Sequence, residues 1–231
     1  MISILKREPS PSIEDRAKNS FKPNFEYEEA YRTARTNLMF SITKNGCKKV
    51  AVTSSESGEG KTTTAVNLAY MLAIQTDTKV LLIDCDLRKS QVHEYFQYKS
   101  SPGLADYLIN AAALDDLFRH DNVSGLSVVC GGRIPPNPGE ILSSPIFESF
   151  LTKMENQYNY ILIDTPSVNA VTDGLYVIKL CDGVVLSVVQ GMSLHDEFSK
   201  SLHIINGVGT KVLGVVMHGV EKKRNGGYAY A

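Results

Sequence analysis

The stretch Ser-Glu-Ser-Gly-Glu-Gly-Lys-Thr-Thr at 55–63 joins residue types that together can hold phosphate. Gly58 and Gly60 can turn their amides inward and leave no Cβ in the path of an anion. Lys61 can reach terminal phosphates, and the Thr62 hydroxyl can ligate Mg²⁺. Ser57, Gly58, Glu59, Gly60, Lys61, Thr62 and Thr63 are therefore the candidate nucleotide-binding set. The strict pattern G-x(4)-G-K-[ST] fails only at its first position, where Ser55 stands. The competing reading is a Gly-containing strand-to-helix turn with no ligand.

Carboxylates supply the second requirement. LLIDCD (81–86) ends in Asp84 and Asp86, and ILIDTP (161–166) carries Asp164, each after an apolar run. Side chains at strand C-termini face the crevice where doubly wound sheets bind ligands. There a carboxylate can hold Mg²⁺, directly or through water, or accept a proton from an attacking hydroxyl. Asp84 and Asp86, two apart, face the same way if the strand extends that far. Any one of them can instead cap the following helix. Three such residues beside a phosphate loop favour an ATP·Mg²⁺ site built on Lys61, Asp84, Asp86 and Asp164. The fate of the phosphoryl group stays open: water as acceptor makes an ATPase, a side-chain hydroxyl makes a kinase.

The elements that must position these residues alternate along the chain. KVAVTSS (49–55) reads as a strand, and KTTTAVNLAYMLAIQ (61–75) has helical spacing in Val66, Leu68, Ala69, Leu72 and Ala73. VLLID, LSVVC, YILID, VVLSVV and VLGVVM read as further strands, apolar almost throughout. Strands covered on both faces look like this, so the fold expected is α/β: a doubly wound, mostly parallel sheet flanked by helices. Residues 1–24, with Pro9, Pro11 and Pro23, are expected as a flexible arm. Residues 25–220 form the domain, opening on an amphipathic helix in FEYEEAYRTARTNLMFSI. GGRIPPNPG (131–139) is expected as a loop, because Pro and Gly interrupt regular elements. Residues 221–231 form a flexible tail bearing Tyr228 and Tyr230. The remaining tyrosines read mainly as packing residues.

Composition excludes several classes. The chain has 231 residues, 24 Lys plus Arg against 25 Asp plus Glu, and 43% hydrophobic residues. That suits one domain with a real core and excludes a globally basic nucleic-acid binder. No stretch reaches the ~20 apolar residues of a membrane span, and the N-terminus turns polar too early for a signal peptide. A soluble, intracellular protein is expected. Cys47, Cys85, Cys130 and Cys181 form no Cys-x-x-Cys pair and read as structural thiols.

Five pieces occur in order over residues 26–217: Glu29-x-x-Arg32-x-x-Arg35 in EAYRTARTNLMF, then SSESGEGKTTT, LLIDCDLRKS, PPNPGEILSS and YNYILIDTPS. In this combination the chain resembles the bacterial tyrosine kinases of capsule and exopolysaccharide synthesis. That group lies within the deviant P-loop ATPases, beside the cell-division and plasmid-partition ATPases. The resemblance implies ATP and Mg²⁺ as cofactors, with Thr62, Asp84 and Asp164 at the metal. Asp86 leads Asp84 as the group that activates the attacking tyrosine. It further implies Tyr228 and Tyr230 as acceptors phosphorylated in trans, and Glu29, Arg32 and Arg35 as the subunit contact of a ring. The partners implied are a membrane adaptor of the polysaccharide co-polymerase type, which recruits the kinase to the inner face of the membrane, and a cognate tyrosine phosphatase, with no nucleic acid. Glu56 stands where the partition ATPases tend to carry a signature Lys. His218-Gly219 stands where related proteins usually have Asn-Lys, the Asn helping to recognise the base. A partition-type ATPase switch and a nucleotide-dependent scaffold without kinase activity remain the alternatives.

Overall fold

The computed structural model describes residues 2–6, 25–120 and 125–220, with side chains from residue 27 onward. The strands are β1 (Ile2–Lys6), β2 (Lys48–Ser54), β3 (Val80–Asp84), β4 (Phe118–His120), β5 (Leu126–Val129), β6 (Tyr160–Asp164), β7 (Gly183–Val189) and β8 (Val212–Val220). The helices are α1 (Phe25–Ser41), α2 (Lys61–Ala73), α3 (Val92–Phe96), α4 (Leu104–Leu108), α5 (Pro138–Leu142), α6 (Pro145–Glu155), α7 (Asp173–Lys179) and α8 (His195–Gly207). Among the described residues the strands make one sheet in the order β1-β8-β7-β2-β6-β3-β5-β4. All pairings are parallel except that of β4 with β5.

The near-continuous apolar strands are explained by cover on both faces. In β3 and β6, Val80, Leu82, Tyr160 and Leu162 face the layer of α1 and α2. The alternate residues Leu81, Ile83, Ile161 and Ile163 face Leu104 and Leu108 of α4 and Phe147, Phe150 and Met154 of α6. Period-2 alternation thus supplies two cores instead of one, and each buried Leu or Ile adds ~1.5–3 kcal/mol relative to exposure. Around β2 the chain order reverses, with β6 on one side and β7 on the other. The crevice of a doubly wound sheet opens at that point, beyond the strand C-termini.

Two local expectations change, and one strand is added. Within residues 1–24, Ile2–Lys6 pairs in parallel with β8, Ile2 opposite Val215 and Ile4 opposite Met217. The low apolar content of the whole segment hides a five-residue run, ISILK, whose alternation suits an edge strand. Pro138 and Gly139, read as loop, occupy the first turn of α5. Proline fits there because its missing N–H lies among the amides a helix start leaves unpaired. The short antiparallel β4, with only three residues, carries no periodic signal of its own.

Candidate active site

The loop after β2 is tied from beneath, leaving its backbone to line a cradle. Gly58 and Gly60 take φ of 91° and 80°, in the left-handed region that only glycine occupies without strain. Glu59, expected to touch nucleotide, is buried, and its carboxylate is used within the protein. It accepts from the Glu56 amide at 2.9 Å and from the Ser193 hydroxyl. The Ser55 hydroxyl, where the strict pattern has glycine, accepts from Ser201 of α8 at 2.8 Å. Ser57 and Glu56 are exposed. Helix α2 starts at Lys61 with no side-chain cap and no acidic residue in its first turn. Its free amides and dipole are therefore available to an anion, and the nearest side chain is a lysine.

Lys61 and Thr62 each meet a carboxylate. Lys61 Nζ lies 2.7 Å from Asp86 Oδ2, both side chains under 10% exposed. Thr62 donates its hydroxyl to Asp164 Oδ2 at 2.6 Å. Asp84 and Asp164 are directly opposite one another across β3 and β6, which brings both to the crevice floor. Burial pushes Asp164 up to about 7, with the Lys61 charge and the Thr62 bond opposing it. Burial likewise raises Asp84. For Lys61, burial favours the neutral amine, but the charges of Asp164, Asp86 and Asp84 outweigh it and raise its pKa.

The three aspartates are not equivalent. Asp84 Oδ2 accepts from Ser90 Oγ at 2.7 Å and from the Gln91 and Val92 amides at 3.0 Å. Its Oδ1 accepts from the Asp86 amide at 3.1 Å. Three donors converge on Oδ2 and one meets Oδ1, so Asp84 folds the 86–92 loop and caps α3 while Oδ1 keeps acceptor capacity. Among the described residues Asp86 Oδ1 accepts only from the Lys89 amide, at 3.1 Å, and its Oδ2 faces Lys61. Asp164 Oδ1 is buried and has no hydrogen-bond partner among the described residues.

Other expected residues are distributed differently. On α1, Glu29 and Arg32 are exposed, and Arg32 pairs with Glu28 at 2.6 Å. Arg35 turns inward and donates to the Met71 carbonyl of α2 at 3.2 Å. Steps of three drift around a helix at ~100° per residue, so residues six apart differ by ~120° and need not share a face. Tyr228 and Tyr230 lie outside the described residues. Tyr95, read as packing, places its hydroxyl 2.6 Å from Thr63 Oγ1, and Tyr176 is 46% exposed. Sequence reasoning missed Asp173, which clamps Arg88 at 2.6 and 3.3 Å, and Ser187, the lone polar residue inside β7. A serine within VVLSVV was the available signal for the second; Asp173, in a loop-to-helix start, carried none.

Comparisons with known proteins agree with this geometry. The family described as "AAA domain" matches residues 47–194. The tyrosine-protein kinase YwqD of Bacillus subtilis is 36% identical over 202 residues, 87% of this chain and 85% of that protein. The kinase domain of the Escherichia coli tyrosine kinase ETK superposes with a TM-score of 0.84 at 26% identity, covering 99% of this chain and 93% of that one. At the level of fold alone, the septum site-determining protein MinD of Pyrococcus horikoshii, solved with Mg-ADP, matches with a TM-score of 0.62 at 19% identity over 74% of this chain and 70% of its own. A phosphate loop after β2, carboxylates at the ends of β3 and β6, and these likenesses over most of its length make the chain a member of the bacterial tyrosine-protein kinases.

Proposed function

We propose that the chain transfers the γ-phosphoryl group of ATP to tyrosines in the tail of a neighbouring copy, Tyr228 and Tyr230. The observation that carries this reading is the buried Lys61–Asp86 pair beside the Thr62–Asp164 bond at the mouth of the phosphate loop. Lys61 serves the terminal phosphates. Asp86, whose carboxylate keeps acceptor capacity, receives the proton of the incoming tyrosine. A phenol with pKa ≈ 10 is helped mainly by positioning and local charge. The amides of residues 57–63 and the α2 N-terminus hold the triphosphate.

Mg²⁺ fits the residues present. Asp164 Oδ1 is a buried oxygen lacking a partner, and Thr62 Oγ1 lies beside the same carboxylate. Thr62 and Asp164 would hold the ion, which neutralises charge on the phosphates. Among the described residues no group of three or more His, Cys, Asp or Glu forms a protein-only metal cage, as befits an ion bound together with phosphate. Asp84, whose Oδ1 keeps acceptor capacity, would support the ion beside them and also shapes the loop that carries Asp86.

The acceptor tails act between subunits of a ring, with Glu29 and Arg32 of α1 at the contact and Arg35 bracing the same helix against α2 from within. Phe40, 80% exposed, supports an interface there. Eleven residues from Glu29, it lies only ~20° away around the helix. Among the described residues no helix is long and apolar enough to cross a membrane. A membrane adaptor of the polysaccharide co-polymerase type recruits the kinase to the inner face of the cell membrane, and a cognate phosphatase resets it. Cycles of phosphorylation, adding about −1.5 to −2 charge per tyrosine, loosen the ring and so regulate capsular or exopolysaccharide polymerisation and export. The test is incorporation of γ-phosphate from ATP and Mg²⁺, with and without the adaptor's cytoplasmic segment, mapped by mass spectrometry. Label on Tyr228 or Tyr230 that vanishes in Lys61→Met supports the reading. Steady phosphate release without protein label would replace it with an ATPase switch.

A further inference from the structure

His218 stands at the end of β8, where the resemblance leads one to expect a residue that reads the base. Its ring is instead committed to the phosphate loop. His218 Nε2 lies 2.8 Å from Thr64 Oγ1 in the first turn of α2. A Cβ added at Gly60 would come within 2.9 Å of the same nitrogen, so the ring rests directly against the loop. Thr64 Oγ1 is 3.3 Å from Ser187 Oγ of β7, and Ser187 donates to the Glu59 carbonyl.

Each hydroxyl has one proton to give, and one direction supplies a proton to every link of the series. Ser187 gives its proton to Glu59, so it accepts from Thr64. Thr64 has then spent its own proton, so it accepts from His218 Nε2–H. The series runs from β8 through α2 and β7 into the backbone of the loop. Its end point matters because the Glu59–Gly60 peptide is planar and trans: a carbonyl drawn toward β7 turns the Gly60 N–H the opposite way. Amides turned inward in this manner are what bind phosphate.

We infer that His218 is a positioning residue for the triphosphate, acting through Thr64 and Ser187 on the Glu59–Gly60 peptide, and not a reader of the purine. The inference rests on nucleotide binding at this loop. It goes further by assigning the β8 position to the phosphate end of the ligand. Discrimination between ATP and GTP then does not depend on this side chain.

The experiment measures dissociation constants of the full chain for Mg·ATP, Mg·GTP and Mg·tripolyphosphate by calorimetry, with unfolding temperatures as a control. Tripolyphosphate has no base. His218→Ala is expected to weaken all three by the same factor, about tenfold for one lost hydrogen bond of this kind. His218→Gln, whose amide can donate to Thr64 as Nε2–H does, is expected to recover most of the loss. Thr64→Val is expected to reproduce the uniform loss, which keeps the test available if the alanine variant folds poorly. A loss confined to ATP and GTP, or a changed ATP:GTP ratio with tripolyphosphate untouched, would overturn the inference, as would no change at all. Failure of the unaltered chain to bind any of the three would instead strike the phosphate site itself, and the role of His218 with it.

Discussion

Asp84, Asp86 and Asp164 are one functional group in three settings, and the setting decides the work. Asp84 accepts from Asp86, Ser90, Gln91 and Val92, so its removal disturbs shape as well as chemistry. Asp84→Asn sets an NH₂ against one of these donors and is expected to cost about 1–3 kcal/mol, read as a lower unfolding temperature. Asp86→Asn is expected to keep the fold while cutting label incorporation by at least tenfold, the scale of a lost proton acceptor. Asp164 is buried with one oxygen unpartnered, an arrangement that favours ligand binding over stability. Asp164→Asn is therefore expected to raise the melting temperature of the nucleotide-free chain and to abolish phosphoryl transfer. Matched thermal melts and γ-phosphate labelling check all three. The cysteines show the complementary case. Burial pushes Cys47 up to about 11 and Cys130 up to about 12, which keeps these thiols inert.

Among the elements, the loop leading into α4 shows how one carboxylate can fold a connection. Asp106 accepts from Ser101 Oγ and the Gly103 amide at 2.9 Å and from Arg133 Nε at 2.6 Å. Burial alone would raise its pKa, but the bonds from Arg133, Ser101 and Gly103 outweigh burial and hold it below the usual range. A depressed folded pKa means a contribution that is complete above the unfolded value of ~3.9 and is lost as pH falls toward the folded one. The stability gap between the native chain and Asp106→Asn should therefore be constant from pH 5 to 7 and shrink below about pH 4, as urea titrations at each pH will show. Elements of this kind mark where sequence reading stops. β2, β3, β5, β6 and β7 were legible because both faces are buried and their residues are apolar, β8 because its run VLGVVM is apolar although only Leu213 and Val216 of it are buried, and α2 because its period is helical. The charged groups at strand ends were legible for the same reason, since an Asp closing an apolar run has few other uses. What escaped depends on long-range partners: Ser187 reaching Glu59, Asp173 holding Arg88, and Arg35 leaving its neighbours for Met71. β4 and Ile2–Lys6 escaped because short edge strands draw their definition from the strand beside them.

For the whole molecule, α1 separates two roles that its motif merges. Among the described residues Arg32 is exposed and paired only within its own helix, and surface pairs of that kind contribute little to folding. Arg32→Ala and Phe40→Ser are expected to reduce the mass of the assembly in light scattering with melting temperature nearly unchanged. Arg35→Ala removes a donor from the last turn of α2 and is expected to cost ~1–2 kcal/mol of monomer stability, whether or not assembly changes. Among the described residues the sheet ends at both rims on short strands: β1 with five residues at one side, and β4 with three, running antiparallel to β5, at the other. Exposed edges invite lateral backbone pairing, and short ones offer few rungs for it. Copies crowded at one place can therefore meet and part through their helices, side chain against side chain, with little risk that their sheets fuse into a continuous ribbon. The ring proposed above, opening and closing as its tails gain and lose phosphate, would need that reversibility at its rims.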